Sequence, residues 1–347
     1  MRVPIANAAT DCGHQTRFQP GIDLLRVRDL TVHFSDKGRK FAAVDRVSFA
    51  IASGEIVGLL GESGCGKTTV ALSLLRLLPV AARLTCGSIS FRDNDLSSLT
   101  EPQLREIRGA MVAIINQDSS VLNPIIRVGS QVSEVLRAHR SCTARQARAE
   151  AEALFAAIGL RDSDRIYNAY PHQLSGGQRQ RIAITQALIC KPQLVIADEP
   201  TASVDRNTGH EILDFMKRMQ NSYGTSFLLI SHDPNTISAV ADRVLVMYAG
   251  QIVENGLLND VYSRPLHPYT DALLQCAPRR IARRDLAYGK GRLPCIPGKA
   301  PDPLEAPLGC SFSTRCAHRI EICDARRPSP SEVSSERSVR CFHYGAG

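Results

Sequence analysis

The chain has no apolar run approaching the about 18 residues of a membrane-spanning helix, so no segment reads as a transmembrane span. Its opening stretch, "MRVPIANAATDCGHQTRFQPG", lacks the apolar core of a secretory signal and reads as a disordered extension over residues 1–21. No internal repeat is visible. There is no strong block of one charge either. Forty-two Lys and Arg against 34 Asp and Glu leave a net charge of +8, but the basic residues are spread along the chain, with one modest cluster at "PRRIARRD" (278–285). A diffuse excess of this kind is a solvated surface rather than a nucleic-acid footprint. With 347 residues, 44 % hydrophobic and 22 % charged, the chain can build a full α/β domain plus a smaller appendix.

Three zones follow from the pattern. Residues 22–60 carry short strands, "LLRVRDLTVHF", "AAVDRVSFAI" and "EIVGLL", which suggest an antiparallel edge feeding a sheet. From about 96 to 180 the pattern is mainly helical, with "SEVLRAHR" and "TARQARAEAEALFAAIGL" amphipathic. After 175 helices and strands alternate, as in "QLVIAD", "GHEILDFMKRMQ", "SFLLIS" and "RVLVMYAGQIVE". Alternation predicts an α/β fold with a mainly parallel core sheet. Beyond about 265, Pro, Gly, Arg and Cys rise and periodicity fades, marking a small C-terminal extension over 265–347 behind a main domain over 22–264.

"GESGCGKTT" (61–69) meets the pattern G-x-x-x-x-G-K-[ST] through Gly61, Gly66, Lys67 and Thr68. A buried strand precedes it and a helical pattern follows, the context a phosphate loop requires. Glycines let backbone N–H groups turn inward around an anion, and the helix start adds its positive dipole end. Lys67 would reach the β and γ phosphates, and the Thr68 hydroxyl would bind Mg2+. The plain alternative is a structural turn with a solvated lysine.

Two further stretches narrow the choice. "LSGGQRQR" (174–181) starts a helix, with Ser175 as N-cap and Gln178 completing a capping box. Capping does not explain Gly176 and Gly177, each costing roughly 1 kcal/mol in a helix relative to Ala. Glycines there suit close approach of an anion, hence a second phosphate-binding edge. "LVIADEPT" (194–201) is a buried strand ending in two carboxylates. Asp198 would hold Mg2+ and Glu199 would act as general base on the attacking water. His232 and Gln117 each follow an apolar strand, where they could face the γ-phosphate or the metal; a structural role is the alternative for both.

Together these residues resemble the ATP-binding cassette family of transport ATPases, in the order aromatic loop, Walker A, Q-loop, signature, Walker B, D-loop and H-loop. The resemblance spans about 22–260. It implies an ABC-type P-loop ATPase fold with a helical subdomain. It also implies an ATP site built from Gly61, Glu62, Ser63, Gly64, Cys65, Gly66, Lys67, Thr68 and Thr69. Phe34 resembles the aromatic that stacks on adenine, with Phe41 the alternative. Gln117 resembles the Q-loop glutamine, Asp205 the D-loop aspartate and His232 the switch histidine. Catalytic roles fall to Glu199, His232, Gln117 and Lys67, and Mg2+ to Thr68, Gln117 and Asp198. Ser175, Gly176, Gly177 and Gln178 resemble the signature, which in this family contacts ATP held by the opposite subunit.

The end of the chain narrows the resemblance. "RPLHPYTDALL", "LPCIPGKAPDP" and "GCSFSTRC" are similar to the C-terminal extension of oligopeptide and dipeptide importer ATPases. That implies an ATPase subunit on the cytoplasmic face of an inner membrane. Its expected partners are two permeases, a second ATPase and an extracytoplasmic binding protein; nucleic acid is not among them. Other cargoes (nickel, glutathione, an opine) use the same ATPase type, and a soluble cassette acting on nucleic acid or ribosomes is a further alternative. An ATP-type loop and an odd total of eleven cysteines fit a reducing compartment better than a disulfide framework. The late cysteines Cys310, Cys316, Cys323 and Cys341 lack the short C-x2-C pairing of zinc ribbons. They could hold zinc, an iron–sulfur cluster or nothing, and the resemblance favours [4Fe–4S]. Three departures from the family pattern stand out: Asn116 where an aromatic is usual, a loop from Gln117 to Asn123 one residue short, and "ASVD" (202–205) for "TALD".

Overall fold

The computed structural model describes residues 23–36, 38–92, 94–117, 122–277, 295–305 and 307–344. The expected extension over 1–21, the basic cluster 278–285 and most of the short loop after Gln117 lie outside them.

Two sheets form. The first is antiparallel, in the order β2–β1–β4–β5, with β1 Asp23–Asp36, β2 Arg39–Ala52, β4 Ala82–Phe91 and β5 Asn94–Asp95. The antiparallel strands thus form a sheet of their own rather than an edge of the main one. β4, "ARLTCGSISF", has no sharp alternation and escaped the sequence pattern. Its place is set by pairing along β1, from Leu25 opposite Phe91 to Phe34 opposite Ala82.

The second sheet runs β11–β12–β10–β9–β3–β8–β7–β6, with β10 Gln251–Leu257, β11 Ser331–Ser334 and β12 Arg337–Val339 at one edge. β3 Ile56–Leu60, β6 Val112–Ile115, β7 Leu194–Asp198, β8 Ser226–Ser231 and β9 Arg243–Tyr248 form its parallel core. Successive residues of these strands bury opposite faces. In β7, Val195 and Ala197 enter one core while Leu194 and Ile196 enter the other. Burial on both faces is why such strands read as unbroken apolar runs. One core lies between the main sheet and the helices α3 Val128–His139, α4 Ala144–Ala157, α6 Gly176–Leu188 and α7 Arg206–Tyr223. The other lies between the two sheets and includes α1 Lys67–Leu74.

α7 shows how sequence sets an element. Asp205 caps it through bonds from the Asn207 and Thr208 amides. Ile212, Phe215, Met216 and Met219 form its buried stripe, and Gly224 ends it at φ 64°.

The C-terminal region is welded to the core. β12 Arg337–Val339 pairs antiparallel with β10 Gln251–Leu257, and β11 Ser331–Ser334 pairs with β12. Tyr269 and Leu274 of α10 Pro268–Gln275, with Phe312, enter the helical-side core. No described helix is long and apolar enough to cross a membrane.

Candidate functional site

The parallel strands deliver their carboxyl ends to one edge. Leu60 ends β3 opposite Ser231, Asp198 ends β7 opposite Ile230, and Ile115 ends β6 opposite Ala197. The register therefore brings the glycine loop, the Asp198–Glu199 pair, His232 and Gln117 to the same edge, where open α/β sheets bind ligands.

Glycine is required in the loop by close approach. A Cβ on Gly61 would lie 2.3 Å from the Met247 carbonyl oxygen, and one on Gly66 would lie 2.5 Å from that of Ala43. Gly66 also has φ 109° and begins α1. Lys67 is buried; its Nζ donates to the carbonyl oxygens of Gly61 (2.8 Å) and Glu62 (3.0 Å). The ammonium thus lies inside the curl, where phosphate oxygens can replace carbonyls. Cys65 is packed beneath, and burial pushes its thiol pKa up.

Burial lifts the Asp198 carboxylate above the usual carboxylate range, and the nearby Thr68 side chain and Lys67 charge act in the other direction. Asp198 Oδ1 is buried without a hydrogen-bond partner among the described residues. A buried carboxylate oxygen left unpaired near the Thr68 hydroxyl fits the oxygen donors that Mg2+ takes. Glu199 is also buried, at φ 50°, a left-handed conformation that a non-glycine residue adopts under constraint. Its Oε1 lies 2.7 Å from His232 Nδ1 and accepts from the His232 amide at 2.9 Å. The His232 side chain remains 55 % exposed and free to meet a ligand. Gln117 is exposed two residues beyond the end of β6.

Ser175 caps α6 and the expected capping box with Gln178 is present. Ser175, Gly176, Gly177 and Gln178 do not line the cavity beside the phosphate loop. A Cβ on Gly176 would meet nothing within 4 Å among the described residues, so none of them requires glycine there. Asp205 lies with Glu199 and His232 along a separate cleft.

The cavity beside the loop, about 290 Å3, sits at the low end of small-molecule sites. Phe41 lines it. Phe34 stacks against Phe41, with ring centroids 5.8 Å apart. Sequence reasoning missed the other wall, made by Pro301, Pro303, Pro307 and Arg327 of the C-terminal region. It also missed Tyr269 and Arg315, which bond Glu62 inside the loop. No local pattern could have pointed to Arg315, 253 residues from its partner.

Cys310, Cys316, Cys323 and Cys341 line one small cavity of about 10 Å3. Burial pushes the Cys310 thiol up to about 11 and raises those of Cys316 and Cys341. No group of three or more His, Cys, Asp or Glu among the described residues is arranged to hold a metal ion. The donor set suits soft metals, but the cavity has room for little more than a water-sized particle.

Comparison with known proteins agrees with this geometry. Residues 44–202 match the ABC transporter family model, and 253–323 match that of the oligopeptide/dipeptide transporter C-terminal region. The chain is 41 % identical over 323 residues to the oligopeptide transport ATP-binding protein AppD of Bacillus subtilis, covering 92 % of this chain and 97 % of that protein. It is 39 % identical to the dipeptide transport ATP-binding protein DppD of Haemophilus influenzae, covering 92 % and 94 %. The dimeric structure of MJ0796, a bacterial ABC transporter cassette, superposes with TM-score 0.63 at 25 % identity, covering 67 % of this chain and 98 % of that one. A post-hydrolysis dimer of the same cassette, bound to ADP and Pi, gives 0.62 at the same identity and coverage. The chain belongs to the ABC transporter ATP-binding proteins of the oligopeptide/dipeptide type, and is an ATP-hydrolysing cassette.

Proposed function

We propose that this chain is the ATPase subunit of a peptide importer, with the catalytic roles carried by the residues at the carboxyl edge of its parallel sheet. The observation that carries the reading is the meeting there of Lys67, Thr68, the unpaired Asp198 oxygen and the Glu199–His232 pair. Residues 61–69 cradle the phosphates, and Phe41, which lines the cavity, stacks on adenine with Phe34 behind it. Thr68, Asp198 and Gln117 would hold Mg2+, which when bound would supply charge neutralisation to the transferred phosphoryl group. Glu199 takes a proton from the attacking water, held in place by His232. Glu199→Gln should bind ATP and fail to hydrolyse it; sustained turnover in that variant overturns the assignment.

The open space at Gly176 supports a partner that brings its own nucleotide to the start of α6. Two cassettes then close head to tail, with Ser175, Gly176, Gly177 and Gln178 of each facing the ATP of the other, and Asp205 near the join. Ile125 and Ile126, exposed shortly after Gln117, supply apolar surface for a permease. The names of the relatives, oligopeptide and dipeptide transport ATP-binding proteins, favour peptide cargo. On that reading the partners are two permeases, a sibling ATPase and an extracytoplasmic binding protein, with this chain peripheral on the cytoplasmic face of the inner membrane. Gentle purification from native membranes followed by mass spectrometry tests this. Recovery of permeases and a peptide-binding protein supports it, whereas ribosomes or DNA without permeases overturn it.

Soft-donor chemistry alone, four cysteines in one region, supports a [4Fe–4S] cluster on the extension; their arrangement in this structure does not form a metal site, and they would have to spread to admit it. Iron and sulfide analysis of anaerobically purified protein decides; absence of both removes this assignment and leaves the ATPase reading intact.

A further inference from the structure

The phosphate loop contains an acid where its ligand is a polyanion. Glu62 follows Gly61 directly and lies five residues before Lys67. An unpaired carboxylate there would repel ATP and compete for Lys67. It is not unpaired. Arg315 grips both carboxylate oxygens, with Nη1 donating to Oε2 at 2.7 Å and Nη2 to Oε1 at 3.0 Å. The Arg315 side chain is 4 % exposed. Its Nε donates to the Pro297 carbonyl oxygen at 2.8 Å and Nη1 also reaches the Tyr248 hydroxyl at 3.2 Å. Tyr248 and Phe312 lie beside the guanidinium, with centroids at 5.8 and 5.9 Å. The fork is therefore fixed in orientation before the loop meets it. The Glu62 amide donates to the Tyr269 hydroxyl at 2.9 Å, so a second residue of the C-terminal region holds the same loop position.

We propose that Arg315 is a positioning residue for ATP binding: from the C-terminal region it neutralises Glu62 and holds that carboxylate away from the polyphosphate. The proposal rests on the reading of residues 61–69 as the ATP phosphate cradle. It makes the extension a working part of the nucleotide site rather than an appendage. Loss of Arg315 leaves a half-buried acid in the anion cradle and raises the ATP dissociation constant. It affects KM far more than kcat, because the groups that act on the attacking water are untouched.

The test is a double-mutant cycle on the full-length chain, with ATP affinity read by isothermal titration. Arg315→Met should weaken ATP binding about tenfold when Glu62 is present and less than about twofold in the Glu62→Gln background. Arg315→Lys keeps the charge without the fork and should lose less than methionine. If Arg315→Met does not fold, Arg315→Lys carries the same cycle, and its loss should vanish with Glu62→Gln. Equal loss in both backgrounds means a merely structural role and overturns the proposal, as does no loss in either. Lys67→Ala separates the two readings. If it binds ATP as well as the unmodified chain, the phosphate-cradle assignment itself falls. If it abolishes binding while Arg315 substitutions do nothing, only the role of Arg315 falls.

Discussion

Glu199 joins an unfavourable backbone conformation to the catalytic role proposed for it. Its φ of 50° aims the carboxylate along the sheet edge, and the bonds from the His232 amide and ring hold it there. His232→Ala should therefore cut hydrolysis by about tenfold or more while leaving ATP affinity within about threefold, measured by steady-state kinetics beside equilibrium binding. Cys310 shows a different single-residue effect. Its thiol titrates near 9.0 when unburied, and burial pushes it up to about 11. The metal-free folded state therefore holds a proton that the unfolded chain loses first. The stabilisation is complete below pH 9.0 and is lost as the pH rises towards about 11, a change of about 2–3 kcal/mol. Chemical denaturation of the metal-free chain should show this slope, and Cys310→Ser should flatten it between those pH values.

Elements hold the extension in place through buried polar contacts. Glu254 on β10 is almost fully buried. It accepts from the amides of Leu266 and His267 at 3.0 and 2.9 Å and from Arg337 on β12 at 2.9 Å. Removing the carboxylate takes the partner from two amides and leaves the Arg337 guanidinium, which also donates to the Arg264 carbonyl oxygen, without its counter-charge inside the join between sheet and extension. Glu254→Ala should cost about 3 kcal/mol, seen as a lowered denaturation midpoint. The cap on α6 is a milder case. Ser175→Ala deletes the bond accepted from the Gln178 amide and should cost about 1 kcal/mol.

At the scale of the whole molecule, Gly176 separates folding from assembly. A Cβ there meets nothing within 4 Å among the described residues, so Gly176→Val should leave the isolated chain folded. In the assembled transporter the same side chain would occupy the place proposed for the opposite ATP. ATP hydrolysis by the complex should fall at least tenfold with the denaturation midpoint of the isolated chain little changed. Unchanged turnover in the complex would place the glycine outside any nucleotide interface.

Much of this was legible in the chain itself, because local physics writes the clearest marks. Runs such as "LVIA" (194–197) are apolar throughout since both faces of a central strand are buried, and the phosphate loop needs glycine where backbone carbonyls crowd it. Capping at Ser175 is likewise a matter of three neighbouring residues. Strand β4 was not legible, because its half-buried sequence lacks alternation and only its pairing with β1 defines it. Nor was the side of the hairpin that faces the cavity: Phe34 and Phe41 pair across β1 and β2, and only their position over the loop distinguishes them. The sequence by itself determined the central apolar strands, the amphipathic and capped helices and the glycine loop, since each depends on residues within one or two turns of chain. Only the tertiary structure decided that the C-terminal region walls the nucleotide cavity and that Arg315 holds Glu62. A contact spanning 253 residues is created by the packing of the whole chain and leaves no periodicity or spacing to read.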